Sequence, residues 1–155
     1  MQIAIPGRDS IELNHLVLDF NGTLAVDGVL IDGVRSLLQK LSDQLQVHVI
    51  TADTFGSVDL AMEGIPCQVY VIASFGQDKQ KEDYVNQLGN EQVIAAGNGR
   101  NDVLMLQAAA IGIALIQKEG AYAPLITVAD VLCLSIIDAL ELLLNPLRLK
   151  ATLRN

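Results

Sequence analysis

The sequence predicts a three-layer α/β fold of the Rossmann-like kind, built on a mainly parallel central sheet. Short β-branched runs alternate with segments of helical periodicity along the 155 residues, and this alternation is typical of doubly wound folds. The runs show little internal alternation of apolar and polar residues, as expected for parallel strands buried on both faces. We predict one domain over residues 1–155, because this length and the 51% of hydrophobic residues suffice for a single core.

Six strands account for the β-branched runs. They are predicted at residues 15–18, 47–50, 69–72, 93–96, 111–116 and 131–134. A β-hairpin is expected between the first strand and the first helix, because Asp27-Gly28 stands between two apolar triplets and this pair favours a two-residue turn. We call residues 24–31 the flap.

Five helices are predicted where apolar residues recur at the i, i+3, i+4 and i+7 positions. They cover residues 34–41, 58–62, 81–88, 103–107 and 136–143. Asp32 is placed to cap the first helix, Gly89 to end the third, and Asn145-Pro146 to stop the last.

Composition excludes several classes of function. The formal net charge is -8 and the basic residues form no cluster, which argues against a nucleic-acid surface. The longest nearly apolar run, residues 103–116, is shorter than the roughly 20 residues of a membrane-spanning helix. The start of the chain also lacks the pattern of a secretory signal. We therefore expect a cytoplasmic protein with neither nucleic acid nor membrane as a partner.

Polar residues gather where the predicted strands end. The first strand leads into Asp19-Phe20-Asn21-Gly22-Thr23, the second into Thr51 and the fourth into Gly97-Asn98-Gly99-Arg100-Asn101-Asp102, while Lys79 and Lys81 precede the fourth. Ligands of open α/β sheets bind at these carboxyl ends. A carboxylate there can attack phosphorus, a hydroxyl and a lysine can hold phosphoryl oxygens, and oxygen ligands can hold Mg²⁺. The set therefore suits phosphoryl transfer.

The same segments resemble, in order, the four motifs of the haloacid dehalogenase (HAD) superfamily. Residues 18–24 resemble its Asp-x-Asp-Gly-Thr motif, Thr51 the second motif, Lys81 the third, and residues 97–102 the Gly-Asp-Gly-x-Asn-Asp motif. The resemblance runs from about Leu13 to Leu134. Residues 110–114 and 129–132 look like the segment after the fourth motif in P-type ATPases, so the chain most resembles small soluble proteins similar to the ATPase phosphorylation domain.

The resemblance implies a role for each matching residue and a cofactor. Asp19 would be the nucleophile and a Mg²⁺ ligand, and Asn21 would give its backbone carbonyl to the metal. Thr51, Ala52 and Lys81 would bind phosphate, with Lys81 also acting in catalysis. Asn98 and Asp102 would complete the metal site, Asp102 directly or through water. The implied function is a HAD-like phosphohydrolase or phosphotransferase that uses an aspartyl-phosphate and acts on a phosphorylated small molecule or a phosphoprotein.

Two residues depart from the superfamily pattern. Asn21 stands where its phosphatases carry an acid that protonates the leaving group, and an amide cannot do this. Asn98 stands where the motif has a metal-binding aspartate, so the site loses a charge. The sequence therefore predicts slow turnover with a longer-lived phosphoenzyme, or no catalysis at all.

Some interpretations stay open at the level of sequence. Lys79 is a rival to Lys81, but its +4 and +7 neighbours are polar and do not suit the core. Both histidines, His15 and His48, are interpreted as structural. The spacing between motifs leaves no room for a cap domain, so the site would either accept a large substrate or be closed by another subunit. The apolar flap supports a homo-oligomer as a hypothesis.

Two other functions compete with the enzyme. The first is a catalytically inactive protein that binds a phospho-ligand or partner through the same cleft, which the two asparagines favour. The second is a phospho-receiver domain with Asp53 as the acceptor. It ranks lower because the expected acid pair and lysine are misplaced.

Overall fold

The computed structural model describes residues 1–4, 6, 10–52 and 57–154. Within them lie ten strands: β1 (Gln2–Ile3), β2 (Ile11–Glu12), β3 (His15–Asp19), β4 (Ala25–Val26), β5 (Val29–Leu30), β6 (Gln46–Thr51), β7 (Gln68–Val71), β8 (Val93–Gly97), β9 (Ile111–Leu115) and β10 (Val131–Cys133). The α-helices of this part of the chain are α1 (Val34–Leu41), α2 (Ser57–Met62), α3 (Gln77–Gln87), α4 (Val103–Ala108), α5 (Ile136–Leu144) and α6 (Pro146–Leu153). Short 3₁₀ helices span Asn90–Gln92, Arg100–Asp102 and Ala123–Thr127.

A six-stranded parallel sheet forms the centre of the molecule, in the order β10-β9-β8-β3-β6-β7. All six strands predicted from the sequence are present, with ends that differ by one or two residues. In the centre, Leu18 of β3 is aligned with Val49 of β6 and with Ala96 of β8. This register brings the carboxyl ends of β3, β6 and β8 to the same edge of the sheet. The three-layer parallel α/β fold predicted from the sequence is confirmed.

Helices cover both faces of the sheet, because successive side chains of a strand point to opposite faces. Leu16 and Leu18 of β3 belong to a core that includes α1 and α5, while Val17 belongs to a second core with residues of α3 and α4. Gly112 in β9 permits close packing on the second face, since a Cβ there would lie 2.5 Å from the backbone carbonyl oxygen of Leu106.

The helices differ from the prediction in three places. The third predicted helix, α3, begins at Gln77, four residues before the predicted start. Asp32 does not cap α1; the N-cap is Gly33, whose φ of 90° suits glycine, and no side chain caps this end. Asn145-Pro146 stops α5 as predicted, but Pro146 also begins α6, whose Leu149 is buried. A proline is favoured in the first turn of a helix because its missing N–H would have no partner there.

The flap is an antiparallel hairpin of β4 and β5, with Asp27 at φ 51° and Gly28 at φ 76° in its turn. In the described residues between Asp19 and Lys81 there is no cap domain; the chain forms only the flap, the core helices α1 and α2, and sheet strands. Among the described helices, none has both the length and the apolar character needed to cross a membrane. Both cysteines are free thiols.

Candidate active site

The predicted site residues converge at the carboxyl edge of the central sheet. Asp19 is the last residue of β3, Thr51 is the last of β6, and β8 ends one residue before Asn98. These three strands are neighbours, with β3 in the middle. Asp19 and Thr51 are both buried, so the fold places a carboxylate and a hydroxyl side by side in a protected position.

Lys81 joins this edge from α3 and ion-pairs with two carboxylates. Its Nζ donates to Asp19 Oδ1 and to Asp102 Oδ1, each at 2.6 Å, and the lysine side chain is fully buried. The rival Lys79 is exposed and pairs on the surface with Glu82 and Asp83. Of the two lysines, only Lys81 therefore lies within reach of the strand ends.

The charges of this cluster shift the pKa values of its members. Burial and the nearby Asp102 raise the pKa of Asp19 to about 6, although Lys81 and the nearby Thr23 hydroxyl act in the opposite direction. Burial alone would lower the pKa of Lys81, but the two carboxylates raise it above its ordinary value. The lysine is therefore held in its charged form, and one cation faces two acids.

A tight turn after β3 shapes the entrance of the site. The carbonyl of Phe20 accepts hydrogen bonds from the backbone N–H groups of Thr23, Leu24 and Ala25. Gly22 lies at φ 76°, and a Cβ there would lie 2.5 Å from the side-chain nitrogen of Asn98. Both the backbone angle and the close approach therefore require glycine. We call residues 19–25 the nucleophile turn, after the role that the sequence predicts for Asp19.

The loop after β8 holds Asp102 deep in the site. Gly97 has no side chain, and a Cβ would lie 2.4 Å from the carboxyl group of Asp102. Asp102 Oδ2 accepts from the backbone N–H of Gly99 at 2.7 Å, and its Oδ1 accepts from Lys81. Both carboxylate oxygens are thus engaged within the protein, which favours an indirect contact with any metal.

Asn98 is held by its amide in a different way. Its Nδ2 donates to the carbonyl of Gly120 at 3.1 Å, and its Oδ1 accepts from Thr23 Oγ1 at 3.3 Å. The amide oxygen therefore faces the nucleophile turn. Sequence patterns did not indicate Gly120 or Thr23 as partners of Asn98, because these contacts join loops that are distant in the chain.

The remaining predicted residues occupy the same edge, with one exception. Asn21 is exposed on the nucleophile turn, and Ala52, directly after Thr51, is half-buried. Asp53, considered as a phospho-acceptor, lies outside the described residues.

The donors at this edge suit a hard divalent cation. The described residues contain no cluster of three or more His, Cys, Asp or Glu side chains able to hold a metal. The carboxylate of Asp19, the amide oxygen of Asn98 and the backbone carbonyl of Asn21 would instead supply oxygen ligands, which Mg²⁺ prefers together with water. The chemistry of these donors therefore fits Mg²⁺, with fewer charges than a cluster of acids would bring.

No protein-family model matches the chain. Among curated proteins it is 50% identical over 66 residues to an uncharacterised protein of Methanocaldococcus jannaschii, covering 43% of this chain and 71% of that protein. It is 31% identical over 93 residues to the phosphoserine phosphatase SerB2 of Mycobacterium tuberculosis, a match that covers 59% of this chain and 22% of the phosphatase. It is also 33% identical over 95 residues to the phospholipid-transporting ATPase tat-1 of Caenorhabditis elegans, covering 61% of this chain and 8% of the ATPase.

Solved structures show the same fold. A 3-deoxy-D-manno-octulosonate 8-phosphate phosphatase from Moraxella catarrhalis, in complex with magnesium ion, phosphate ion and KDO, matches with a TM-score of 0.72 at 14% identity, covering 86% of this chain and 87% of that one. A protein of Legionella pneumophila assigned to subfamily III A of the HAD superfamily matches with a TM-score of 0.69 at 22% identity, covering 91% and 86% of the two chains.

Proposed function

Because this chain has the fold of the HAD superfamily and belongs to one family with the uncharacterised archaeal protein, we propose that it is a Mg²⁺-dependent phosphohydrolase acting through an aspartyl-phosphate. One observation carries the proposal. Lys81 is fully buried at 2.6 Å from both Asp19 and Asp102, at the point where the strand ends meet. Burying such a charge is costly unless partners compensate it, and functional sites are where this arrangement is concentrated.

In the proposed reaction, Asp19 is the nucleophile. The carboxylate oxygen that Lys81 does not bind attacks phosphorus, the bond to the leaving oxygen breaks with its electron pair, and an acyl-phosphate forms. Water then attacks this phosphorus, which releases inorganic phosphate and restores the carboxylate. Lys81 and Thr51 hold phosphoryl oxygens during both steps, and Ala52 supports them from the same strand end. Mg²⁺, when bound, would supply positive charge for the phosphoryl oxygens.

Slow turnover follows from the residues at two positions. Asn21 has no acidic proton to give, so the leaving oxygen takes its proton from water or from the substrate itself. Asn98 supplies an oxygen without a charge, and Asp102 is already engaged by Lys81 and Gly99. An amide at position 21 also cannot act as the base that activates water in the second step. We therefore propose a persistent phosphoenzyme and a weakened metal site.

The substrate is proposed to be a phosphorylated small molecule. This class is named for the structural neighbour that acts on an octulosonate 8-phosphate and for the phosphoserine phosphatase relative. A site without a cap is open to solvent and does not by itself select a leaving group. A phosphoprotein is therefore the second class that the site could accept, and a cytoplasmic location stays a prediction.

The proposal is tested by hydrolysis of an aryl phosphate with and without Mg²⁺. We expect slow Mg²⁺-dependent release of phosphate by the wild type, and none by Asp19→Asn. Asp59→Asn is the matched control, because Asp59 is exposed on α2. Acid-quenched samples should contain a phosphoenzyme in the wild type and in the control only. Hydrolysis that persists in Asp19→Asn would overturn the proposed mechanism.

A catalytically inactive phospho-ligand-binding protein is the second candidate. The amides at positions 21 and 98 favour it, since they stand where acids are expected. Titration with phosphate or beryllofluoride in the presence of Mg²⁺ separates the two functions. Binding that depends on Lys81, together with no turnover of any phosphate ester, would support the inactive protein.

A further inference from the structure

Gln117 lies outside all four motifs, yet its side chain contacts the nucleophile turn. It follows β9, and its Nε2 donates to the carbonyl oxygens of Gly22 and Thr23, each at 2.7 Å. Its Oε1 accepts from the backbone N–H of Ile136, the first residue of α5, at 2.9 Å. The side-chain amide therefore donates both of its protons to the turn that follows Asp19.

The loop that carries Gln117 reaches two further parts of the site. Gly120, at φ 77°, donates its N–H to the Gln117 carbonyl at 2.7 Å and closes a tight turn. Its own carbonyl accepts from Asn98 Nδ2. Glu119 Oε1 accepts from the backbone N–H of Asp27 in the flap at 2.8 Å. Residues 117–120, which we call the Gln117 turn, therefore contact the nucleophile turn, Asn98 and the flap.

The hydrogen bonds around Gly22 fix the direction of the Asn21 carbonyl. Gly22 N–H donates to the Ala25 carbonyl at 2.8 Å, and the Gly22 carbonyl accepts from Gln117. A trans peptide places its C=O opposite its N–H, so the Asn21 carbonyl points away from Ala25. Gln117 bonds to the following peptide, between Gly22 and Thr23. Because glycine is otherwise free to adopt several conformations, this bond limits the rotation of the neighbouring Asn21–Gly22 peptide.

We propose that Gln117 is a positioning residue for Mg²⁺, an inference that rests on the proposed function. It holds the peptide next to the Asn21 carbonyl, and through Gly120 the same turn holds the amide of Asn98. These are two of the three oxygen donors available to the metal. The hydrogen bonds that Lys81 Nζ donates go to Asp19 and Asp102. The side-chain hydrogen bonds of Gln117 go to the nucleophile turn and to Ile136. Loss of Gln117 should therefore weaken the metal site more than the contact of Lys81 with phosphate.

The test compares Gln117→Met with Gln107→Met. Methionine has a similar length but donates no hydrogen bonds. Gln107→Met is the control, because Gln107 is an exposed residue of α4. We expect the Mg²⁺ dissociation constant of Gln117→Met, measured by titration calorimetry without substrate, to rise about tenfold or more, as for other residues that orient metal ligands. At saturating Mg²⁺ the KM for an aryl phosphate should change by less than about twofold, as for a residue that touches no substrate.

Other outcomes decide against the inference. A Gln117→Met variant that loses thermal stability but binds Mg²⁺ like the wild type would show that Gln117 serves only α5. Equal loss of Mg²⁺ affinity in Gln107→Met would show that the effect is not specific to Gln117. A KM of Gln117→Met for the aryl phosphate that rises together with its Mg²⁺ dissociation constant would show that the whole site is distorted. If the wild type neither binds Mg²⁺ nor hydrolyses phosphate esters, the proposed function fails and this inference falls with it. If the wild type does both and the Mg²⁺ dissociation constant of Gln117→Met equals that of the wild type, the inference alone fails.

Discussion

At the scale of single residues, the two asparagines of the site differ in what surrounds them. Asn21 is exposed on the nucleophile turn. Asn98 uses its amide nitrogen to bind the Gly120 carbonyl at 3.1 Å. An aspartate could replace Asn21 without loss of a described contact, whereas at position 98 a carboxylate oxygen would face a carbonyl oxygen. The amide at position 98 is therefore adapted to the Gln117 turn.

Restoring acids at these two positions should have unequal effects. We expect Asn21→Asp to raise the rate of aryl phosphate hydrolysis by about tenfold or more, because it restores a general acid. Asn98→Asp should gain less, since it loses a hydrogen bond worth about 1 kcal/mol and adds repulsion without metal. Steady-state kinetics and thermal unfolding with and without Mg²⁺ measure both effects. A fall in turnover in both variants would count against the phosphohydrolase.

The raised pKa of Asp19 predicts that Mg²⁺ binding depends on pH. Below about pH 6 the folded chain keeps a proton on Asp19 that the unfolded chain has released above about 3.8, so stability without metal falls as pH rises through this window. Mg²⁺ needs the ionised form. We therefore expect its affinity to fall as pH drops below about 6, with proton release visible by calorimetry in two buffers. Affinity that stays constant from pH 7.5 to 5 would contradict this.

The buried lysine should be far more important for stability than its neighbour on α3. Lys81→Met removes the cation that ion-pairs with Asp19 and Asp102, so we expect a loss of about 3–5 kcal/mol in the free energy of unfolding near neutral pH. Lys79→Met is the matched control on the same helix, where an exposed ion pair contributes little to stability. Denaturant unfolding measures both. Similar losses in the two variants would show that Lys81 is not an essential ion-pair partner.

At the scale of elements, a chain of hydrogen bonds joins two central strands to α3. His15 Nδ1 of β3 lies 3.1 Å from His48 Nε2 of β6, and His48 Nδ1 lies 2.9 Å from the Tyr84 hydroxyl of α3. Tyr84 in turn stacks on Tyr70 of β7 at 4.5 Å between ring centroids. The sequence predicts a structural role for both histidines, and these contacts are consistent with that role.

The hydrogen bonds of His48 predict that the stability of the protein depends on pH. Burial, with the nearby His15, lowers the pKa of His48 to about 4 from 6.5. The unfolded chain therefore binds the extra proton first, and the contribution of neutral His48 is present above about 6.5 and lost as pH falls toward 4. His48→Gln should reduce the decline of unfolding free energy over this range, whereas a variant at the half-exposed His15 should change it less. An unchanged decline in His48→Gln would contradict the prediction.

At the scale of the whole molecule, the flap presents apolar surface beside the site. A cavity of about 580 Å³ lies there, lined by flap residues such as Val26 and Ile31 together with Lys118 and Leu134. Val29 is 71% exposed and Leu134 is 74% exposed. Contiguous apolar surface of this kind is typical of protein interfaces. A second copy is the simplest candidate to cover it, which is why a homo-oligomer is proposed.

The oligomer is tested by light scattering at working concentration. We expect the wild type to have the mass of two or more copies of the 16.6 kDa chain. Val29→Glu should dissociate to the monomer, because a buried unpaired charge opposes association. Leu147→Glu is the control, since Leu147 is 79% exposed on α6 and is not one of the residues that line the cavity at the flap. A monomeric wild type would end the oligomer proposal and leave the site open to solvent.

The overall charge of the molecule bears on the substrate as well. The net charge of -8 repels a phosphorylated anion at long range. Recruitment therefore depends on local cations, which are Lys81 and, in the proposed function, Mg²⁺. Because Lys81 already faces the two acids Asp19 and Asp102, most of the positive charge that attracts a substrate would have to come from Mg²⁺.

The sequence by itself determined the layers of the fold and the positions of the main polar residues. β-Branched runs and helical periodicity are local patterns, so they predicted the six central strands and the core helices before any contact was known. Because parallel strands carry their functional residues at their carboxyl ends, the same patterns predicted that Asp19, Thr51 and Asn98 would lie at one edge.

Only the tertiary structure decided which groups touch. Three sets of contacts join segments far apart in the chain. They are the ion pairs of Lys81 with two carboxylates, the hydrogen bonds from Gln117 to the nucleophile turn, and the hydrogen bond between His15 and His48. Such contacts depend on strand order, register and loop approach, which no local periodicity specifies. The same reason explains α6, since Pro146 stops one helix by its own chemistry and begins another only because Leu149 can be buried against the core.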